Sequence, residues 1–312
     1  MTLMNKIKQN AFLYFVFKLI RFLIIVIILD WSIGHTLKYF YFNLQLGRQY
    51  RSFYTIEETK ADILILGPSQ AYNNYVPDIF ETRLKQTCYN SGTNGQFILY
   101  EYAVLKAVLN RYTPKLIFLN IIPNEFFAEK DTYDRLSFLL PLYKRDTAVQ
   151  SVVDLKGPYE KFKLWSSIYP FNSLLGLLAA SNTDSYKRGY AVEKGYQAET
   201  DIWDKPLKTT SPVPYPLDTI KINIFKSFID DCQHAGTKLV VICSPSFINF
   251  KSRDLTILTA EKIAKEKDVL FLDFTNDTFF LNRPYLFNDP YHLNRKGSQE
   301  FTNLLADKII GN

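Results

Sequence analysis

The sequence predicts an α/β domain built on a parallel five-stranded sheet with helices on both faces. Two observations carry that prediction. Short apolar runs closed by glycine, asparagine or proline recur along the chain, and segments with helical spacing separate them. Such alternation makes a parallel sheet, because each strand must return to the same end through a crossover. A third feature, the apolar stretch at residues 11–29, precedes the alternation and adds a membrane-anchor helix to the expected architecture. With 312 residues, 47% of them apolar, the chain can fill a sizeable core.

The N-terminal stretch is interrupted by Lys18 and Arg21. A helix of roughly 20 residues spans a bilayer, and each cation at mid-membrane would cost about 2.5–3.5 kcal/mol. A span that begins nearer Leu19 and runs past Asp30 towards Leu37 lets both cations snorkel to one interface. That shift encloses Asp30, so the register stays open. No small-x-small cleavage site follows, which favours an uncleaved anchor. Lys6, Lys8, Lys18 and Arg21 ahead of the apolar core favour a cytoplasmic N-terminus, and Lys38, Arg48 and Arg51 behind it weaken that preference. The other reading is an amphipathic helix lying on the membrane or packed on the domain. The expected division is therefore a tail and anchor over 1–37, an aromatic-rich connector over 38–60, and an α/β domain over 61–126 and 217–312.

Within that domain, residues 61–67, 87–90, 115–122, 237–243 and 269–273 read as strands. Residues 76–85, 97–109, 220–233, 255–267 and 297–310 have helical spacing, and Gly236 suits a helix end beside His234. Between residues 127 and 216 the alternation fails. This length is too great for a structureless loop, so it predicts a mostly helical insertion followed by an irregular arm. It leaves the carboxyl end of the third strand, where open α/β sheets bind ligands. It is either a lid or specificity element, or plain surface elaboration.

Composition narrows the function. A net charge of +6 without a Lys/Arg block or aromatic–basic alternation argues against a nucleic-acid partner. The aromatic share of 16% reads as core, interface or sugar-stacking surface. Cys88, Cys232 and Cys243 are scattered, with neither metal spacing nor a disulfide framework, and leave the compartment unassigned. Nothing calls for a metal or a cofactor: a phosphate loop, a dinucleotide fingerprint, a Gly-x-Ser-x-Gly elbow and a His-Glu-x-x-His pair are all missing from the sequence.

What remains is a serine at the end of the first strand and an Asp-x-x-His near the far end. Ser69 is the candidate nucleophile, His292 its base and Asp289 the group that orients the imidazole. Of three histidines, His35 borders the apolar stretch, His234 sits at a helix end, and His292 has a carboxylate three residues away. The Asn90–Gly95 turn has two glycines, whose amides can approach a substrate, and Asn124 offers a side-chain amide. With the Ser69 N–H, these groups would form an oxyanion hole. Each has a plainer use as well. Ser69 could cap a helix, His292 could bind Asp289 structurally, Gly95 could simply allow a turn, and Asn124 could bridge a loop. Ser244 is a rim hydroxyl or a turn residue before Pro245, and Asp273 and Asp277 read as structural.

Taken in order, these residues resemble the SGNH (GDSL-type) hydrolase superfamily, over roughly residues 61–126 and 217–310. Gly67-Pro68-Ser69 is similar to block one, Gly95 matches the block-two glycine, and Pro123-Asn124-Glu125 after Ile122 resembles block three. Asp289 and His292 match block five. The resemblance implies a flavodoxin-like sheet, Ser69 as nucleophile, and Ser69, Gly95 and Asn124 as oxyanion donors. Pro68 stands where the family has aspartate, and Ile122 where it has glycine. The chain is most similar to membrane-anchored members tied to bacterial surface polysaccharides. Such members imply an esterase or O-acyltransferase, acetyl by preference, acting on a glycan from an extracytoplasmic domain at the inner membrane. The substitutions, the insertion and the anchor also permit a non-catalytic, SGNH-like glycan-binding or assembly module.

Overall fold

The computed structural model describes residues 10–180 and 194–311; Lys6, Lys8 and the first part of the polar arm lie outside them. The apolar stretch forms one helix, α1 (Ala11–Phe42), opened by Asn10, whose side chain accepts from the amides of Phe12 and Leu13. Its mean hydropathy reaches 2.6 over a window with 0% of its residues buried, so it is long and apolar enough to cross a bilayer. The expected connector over 38–60 is instead the last turn of α1 and a second helix, α2 (Gly47–Glu57). The aromatic residues there have partners that hold them in helix: Tyr41 meets Phe171, and Phe42 meets Phe53.

The α/β unit then runs β1 (Ile63–Leu66), α3 (Ser69–Asn74), α4 (Pro77–Leu84), β2 (Cys88–Asn90), α5 (Ile98–Leu109) and β3 (Leu116–Asn120). The insertion contributes α6 (Lys130–Asp134), α7 (Thr147–Val153), α8 (Glu160–Lys163) and α9 (Leu175–Ala180), joined partly by 3-10 turns. The arm adds β4 (Lys208–Thr210). The chain returns through α10 (Thr219–Ala235), β5 (Lys238–Cys243), β6 (Ile248–Phe250), α11 (Leu255–Glu266), β7 (Leu270–Asp273), α12 (Thr278–Leu281) and α13 (Arg295–Ile310).

The main sheet is parallel, five-stranded, in the order β2-β1-β3-β5-β7, as the alternation predicted. The residues of β1 and β3 are buried throughout and those of the edge strand β7 only partly, so the central strands carry the continuous apolar runs. Leu64, Leu66, Ile117 and Leu119 face the layer containing α5 and α10, while Ile63, Ile65, Phe118 and Val240 face the layer containing α4 and α13. The chain leaves β1 towards β2 and comes back on the other side as β3. That reversal opens a crevice at the carboxyl ends of β1 and β3, where this sheet type places its ligands.

The insertion begins and ends at one stem: Phe127 bridges Leu217, Ala128 N–H donates to Pro216 O at 3.0 Å, and Asp218 N–H donates to Phe126 O at 2.8 Å. From that stem the arm crosses the sheet rim. There β4 pairs in parallel with β6, a strand of the α/β unit, with Thr209 opposite Asn249.

Candidate active site

Gly67 ends β1 with φ +143°, and a Cβ there would come within 2.6 Å of Asn120 O. Only glycine allows β1 and β3 this approach. After Pro68 in extended backbone, Ser69 is the first residue of α3, so its amide has no intrahelical partner and its hydroxyl sits at the rim.

At the opposite end of the chain, residues 287–293 form a tight loop. Phe287 bridges Leu293, and Asn288 N–H donates to His292 O at 2.9 Å. Asn294 closes the loop and caps α13, donating to Tyr285 O at 2.8 Å and accepting from Gly297 N at 3.1 Å. Gly297 is needed because a Cβ would lie 2.1 Å from Leu286 O.

These two stretches meet. His292 Nε2 lies 2.8 Å from Ser69 Oγ, and His292 Nδ1 lies 2.8 Å from Asp289 Oδ2. Asp289 Oδ1 also accepts from the amides of Tyr291 at 2.7 Å and His292 at 3.0 Å. Burial pushes the Asp289 carboxyl up, but the hydrogen bond and charge of His292 and the two amides outweigh it and hold it below the usual range. Asp289 is therefore ionised at neutral pH, with Nδ1–H as its natural donor. That leaves Nε2 as the acceptor for the serine proton, the arrangement general-base activation needs.

Two residues overlooked in the sequence join the halves. Gln70 Nε2 donates to Tyr291 O at 3.1 Å, and Leu293 N–H donates to Asn74 Oδ1 at 3.0 Å. Both belong to α3, one beside the serine and one at its last position. The signal was slight: two side-chain amides on a short segment that the sequence reading assigned to no element.

Beneath the serine lies a polar layer. Asn120, the last residue of β3, accepts from Tyr75 at 2.7 Å, and its Oδ1 also receives the Ser244 hydroxyl. Ser244 is thus both a rim residue and a member of this buried network. Asp273 holds Arg253 at 2.9 Å and Asp277 caps α12, so both are structural, as read from the sequence.

Asn124 has φ +66°, a conformation asparagine tolerates. Its N–H donates to Asp254 Oδ1 at 3.2 Å, and Asp254 also accepts from Tyr215 of the arm at 2.7 Å. Asn124 lines the same cavity as Ser69 and His292. Gly95 is placed elsewhere. It borders a separate cavity with Arg48 and Phe138, and its carbonyl accepts from Arg135 at 3.0 Å. The glycine of that turn that abuts α3 is Gly92, where a Cβ would lie 2.4 Å from Tyr72 N.

The cavity over the Ser69–His292 pair has a volume of about 470 Å³. Val213, Ile248, Phe250 and Tyr291 give it an apolar side, and Ser246 and Lys208 add polar groups. Lys208 and Val213 come from the arm. The insertion therefore builds one wall of the cavity.

No family model matches the chain, and neither does any curated protein. Among solved structures it is similar to the psychrotrophic esterase EstA from Pseudoalteromonas sp., in a structure inhibited by monoethylphosphonate. The likeness covers 80% of this chain and 98% of that one, at 11% identity and a TM-score of 0.39. At those values it says nothing about chemistry.

Proposed function

We propose that the protein is a serine-dependent acyl-ester hydrolase or O-acyltransferase of SGNH type. One observation carries this reading: a hydroxyl, an imidazole and a carboxylate in series, with 2.8 Å at each imidazole contact, opening onto a cavity. His292 takes the Ser69 proton as Oγ attacks an ester carbonyl. Asp289 steadies the imidazolium that forms. The Ser69 N–H and the Asn124 side-chain amide are the donors aimed at the oxyanion in this reading. Gly95 borders another cavity and receives no role here. His292 then returns the proton to the leaving alcohol, and water or a second hydroxyl resolves the acyl-enzyme.

The substrate we favour is an O-acylated glycan of the cell surface, with acetyl as the acyl group. Three features support it: an apolar pocket wall of modest size, the exposed Tyr291 ring in the cavity lining, and an N-terminal helix that would tether the domain outside the cytoplasm. The test uses the full-length protein with an activated acetyl ester and a fluorophosphonate probe. Wild type is expected to turn over the ester and take the label at Ser69. Ser69→Ala should take none, with turnover lower by about 10⁴-fold or more. Equal labelling and turnover in the two proteins would show that Ser69 is not the nucleophile.

A further inference from the structure

The insertion carries three exposed aromatic side chains just ahead of the turn that docks on α1. We propose that these rings, Tyr159, Phe162 and Trp165, seat in the bilayer that α1 crosses, on the side where the α/β domain stands. The inference rests on the anchor reading of α1.

The argument starts from Asp30. It lies inside the apolar helix, yet its carboxylate is satisfied by the insertion. Ser166 Oγ donates at 2.5 Å, Ser167 N–H at 2.6 Å and Ile168 N–H at 3.4 Å. One turn further on, Gly34 lets Ser167 approach so closely that an added Cβ would lie 2.3 Å from the Ser167 Cβ. Further still, Tyr41 is buried against Phe171, Leu174 and Leu178. The insertion therefore runs alongside α1, with residues 166–168 at its end nearest the apolar stretch.

The depth of Asp30 follows from the two cations. The Lys18 ammonium sits 4.5 Å from the Tyr14 ring centre, and the Arg21 guanidinium 5.8 Å from that of Phe17. Both lean towards the N-terminus, as helix side chains do, and reach the far interface near residues 14–17. A hydrocarbon core about 30 Å thick takes about 20 residues at 1.5 Å each. It therefore ends near residues 34–37, roughly one to two turns beyond Asp30. A carboxylate at that depth has no water to solvate it, and the three donors of the insertion take water's place. A turn that supplies them must itself enter that leaflet.

The residues leading into this turn have the chemistry of the site. Tyr159, Phe162 and Trp165 are 71%, 59% and 79% exposed, and the last two pack edge-on at 5.4 Å. Aromatic side chains concentrate at membrane–water boundaries, where a ring can be buried and its polar tip kept wet. Lys161 and Lys163 beside them are held by Asp154 at 3.2 Å and Glu160 at 2.6 Å. The segment thus presents rings rather than unpaired ammonium groups, and its occupant is the acyl–headgroup boundary rather than an anionic headgroup.

The test uses the full chain in bilayers of phosphatidylcholine brominated either near the headgroup end or near the chain ends. Three single-tryptophan proteins are compared, each with two of Trp31, Trp165 and Trp203 changed to Phe. Trp31 reports the anchor and Trp165 the insertion. Trp203, remote from α1 in sequence and fold, is the control. Trp31 and Trp165 should both lose emission, Trp165 more strongly with the shallow bromines, while Trp203 should keep its emission. If Trp31 is quenched and Trp165 is not, the inference is wrong and the anchor stands; the rings would then serve a protein partner. If neither is quenched, the anchor reading fails and takes the inference with it. Should Trp203→Phe fail to fold, a bimane on Tyr159→Cys reads the same depth, since the three native cysteines are buried.

Discussion

Gly67 and Glu125 set the tolerances of the candidate site. Gly67 combines φ +143° with a 2.6 Å approach to the Asn120 carbonyl, so Gly67→Ala meets both backbone strain and a clash with main chain that cannot swing aside. A loss of about 1–3 kcal/mol is expected from the backbone alone. Thermal unfolding followed by intrinsic fluorescence should read it, together with slower fluorophosphonate labelling of Ser69. Glu125 follows Asn124 and is wholly buried, with Oε1 accepting from Ile98 N at 2.5 Å. Burial raises its carboxyl to about 7, against the opposing pull of the Ile98 amide and the Lys221 charge. Burial, and then the Glu125 charge, raise Glu101 well above its ordinary value too. A folded-state value above the unfolded one stabilises the fold fully at pH below the unfolded value, and the benefit is lost as pH climbs through the folded value. Stability should therefore decline between roughly pH 4 and pH 7, with Glu125 contributing on the order of 3 kcal/mol. Glu125→Gln keeps the acceptor for Ile98 and removes the charge, so its melting temperature should fall less steeply over that window. An unchanged slope would mean that Glu125 is already ionised in the folded protein.

At the scale of elements, the short helix α3 is the piece that makes the site. It carries Ser69 at its start and is tied to the histidine loop by Gln70 and Asn74. Asn74 acts through position, since its side chain holds the amide of Leu293, the residue after His292. Asn74→Ala should leave that amide buried and unpaired, at a cost of about 1–3 kcal/mol. Turnover of the activated ester should fall while KM stays near the wild-type value, because the serine–histidine distance changes and the cavity does not. A shift in KM alone would point to a role in the pocket wall. The α3 segment also marks where sequence reading ran out. Six residues between a strand and a helix-starting proline carry no periodicity to recognise. The α2 helix was hidden for a different reason, since its buried face is polar, with Gln49, Arg51, Ser52 and Thr55 inside. Arg51 donates to Gly92 O at 3.1 Å and Gly195 O at 3.0 Å, so hydrogen bonds seat that helix alongside the packing of Phe53 and Ile56.

Across the whole molecule, two architectures share one chain. The apolar helix and the parallel sheet were each readable alone, because hydropathy over a window and alternation along the chain are local signals. Ser69, Asp289 and His292 were nominated from residue type and spacing, and the structure brings them within hydrogen-bonding distance. How the sheet, the insertion and the anchor helix fit together was not readable. The pairing of β4 with β6, the docking of Asp30 on residues 166–168 and the arm's wall in the cavity all join segments dozens of residues apart or more. Gly95 illustrates the same limit. Counting along the turn nominated it, whereas chain geometry puts Gly92 against α3 and Gly95 beside Arg135. Sequence alone therefore determined the anchor helix, the strands of the main sheet and which side chains have the chemistry to react, because these depend on residue type and near neighbours. Tertiary structure decided which donors, walls and charges surround them, because those contacts depend on where the chain returns, and no local pattern encodes that return.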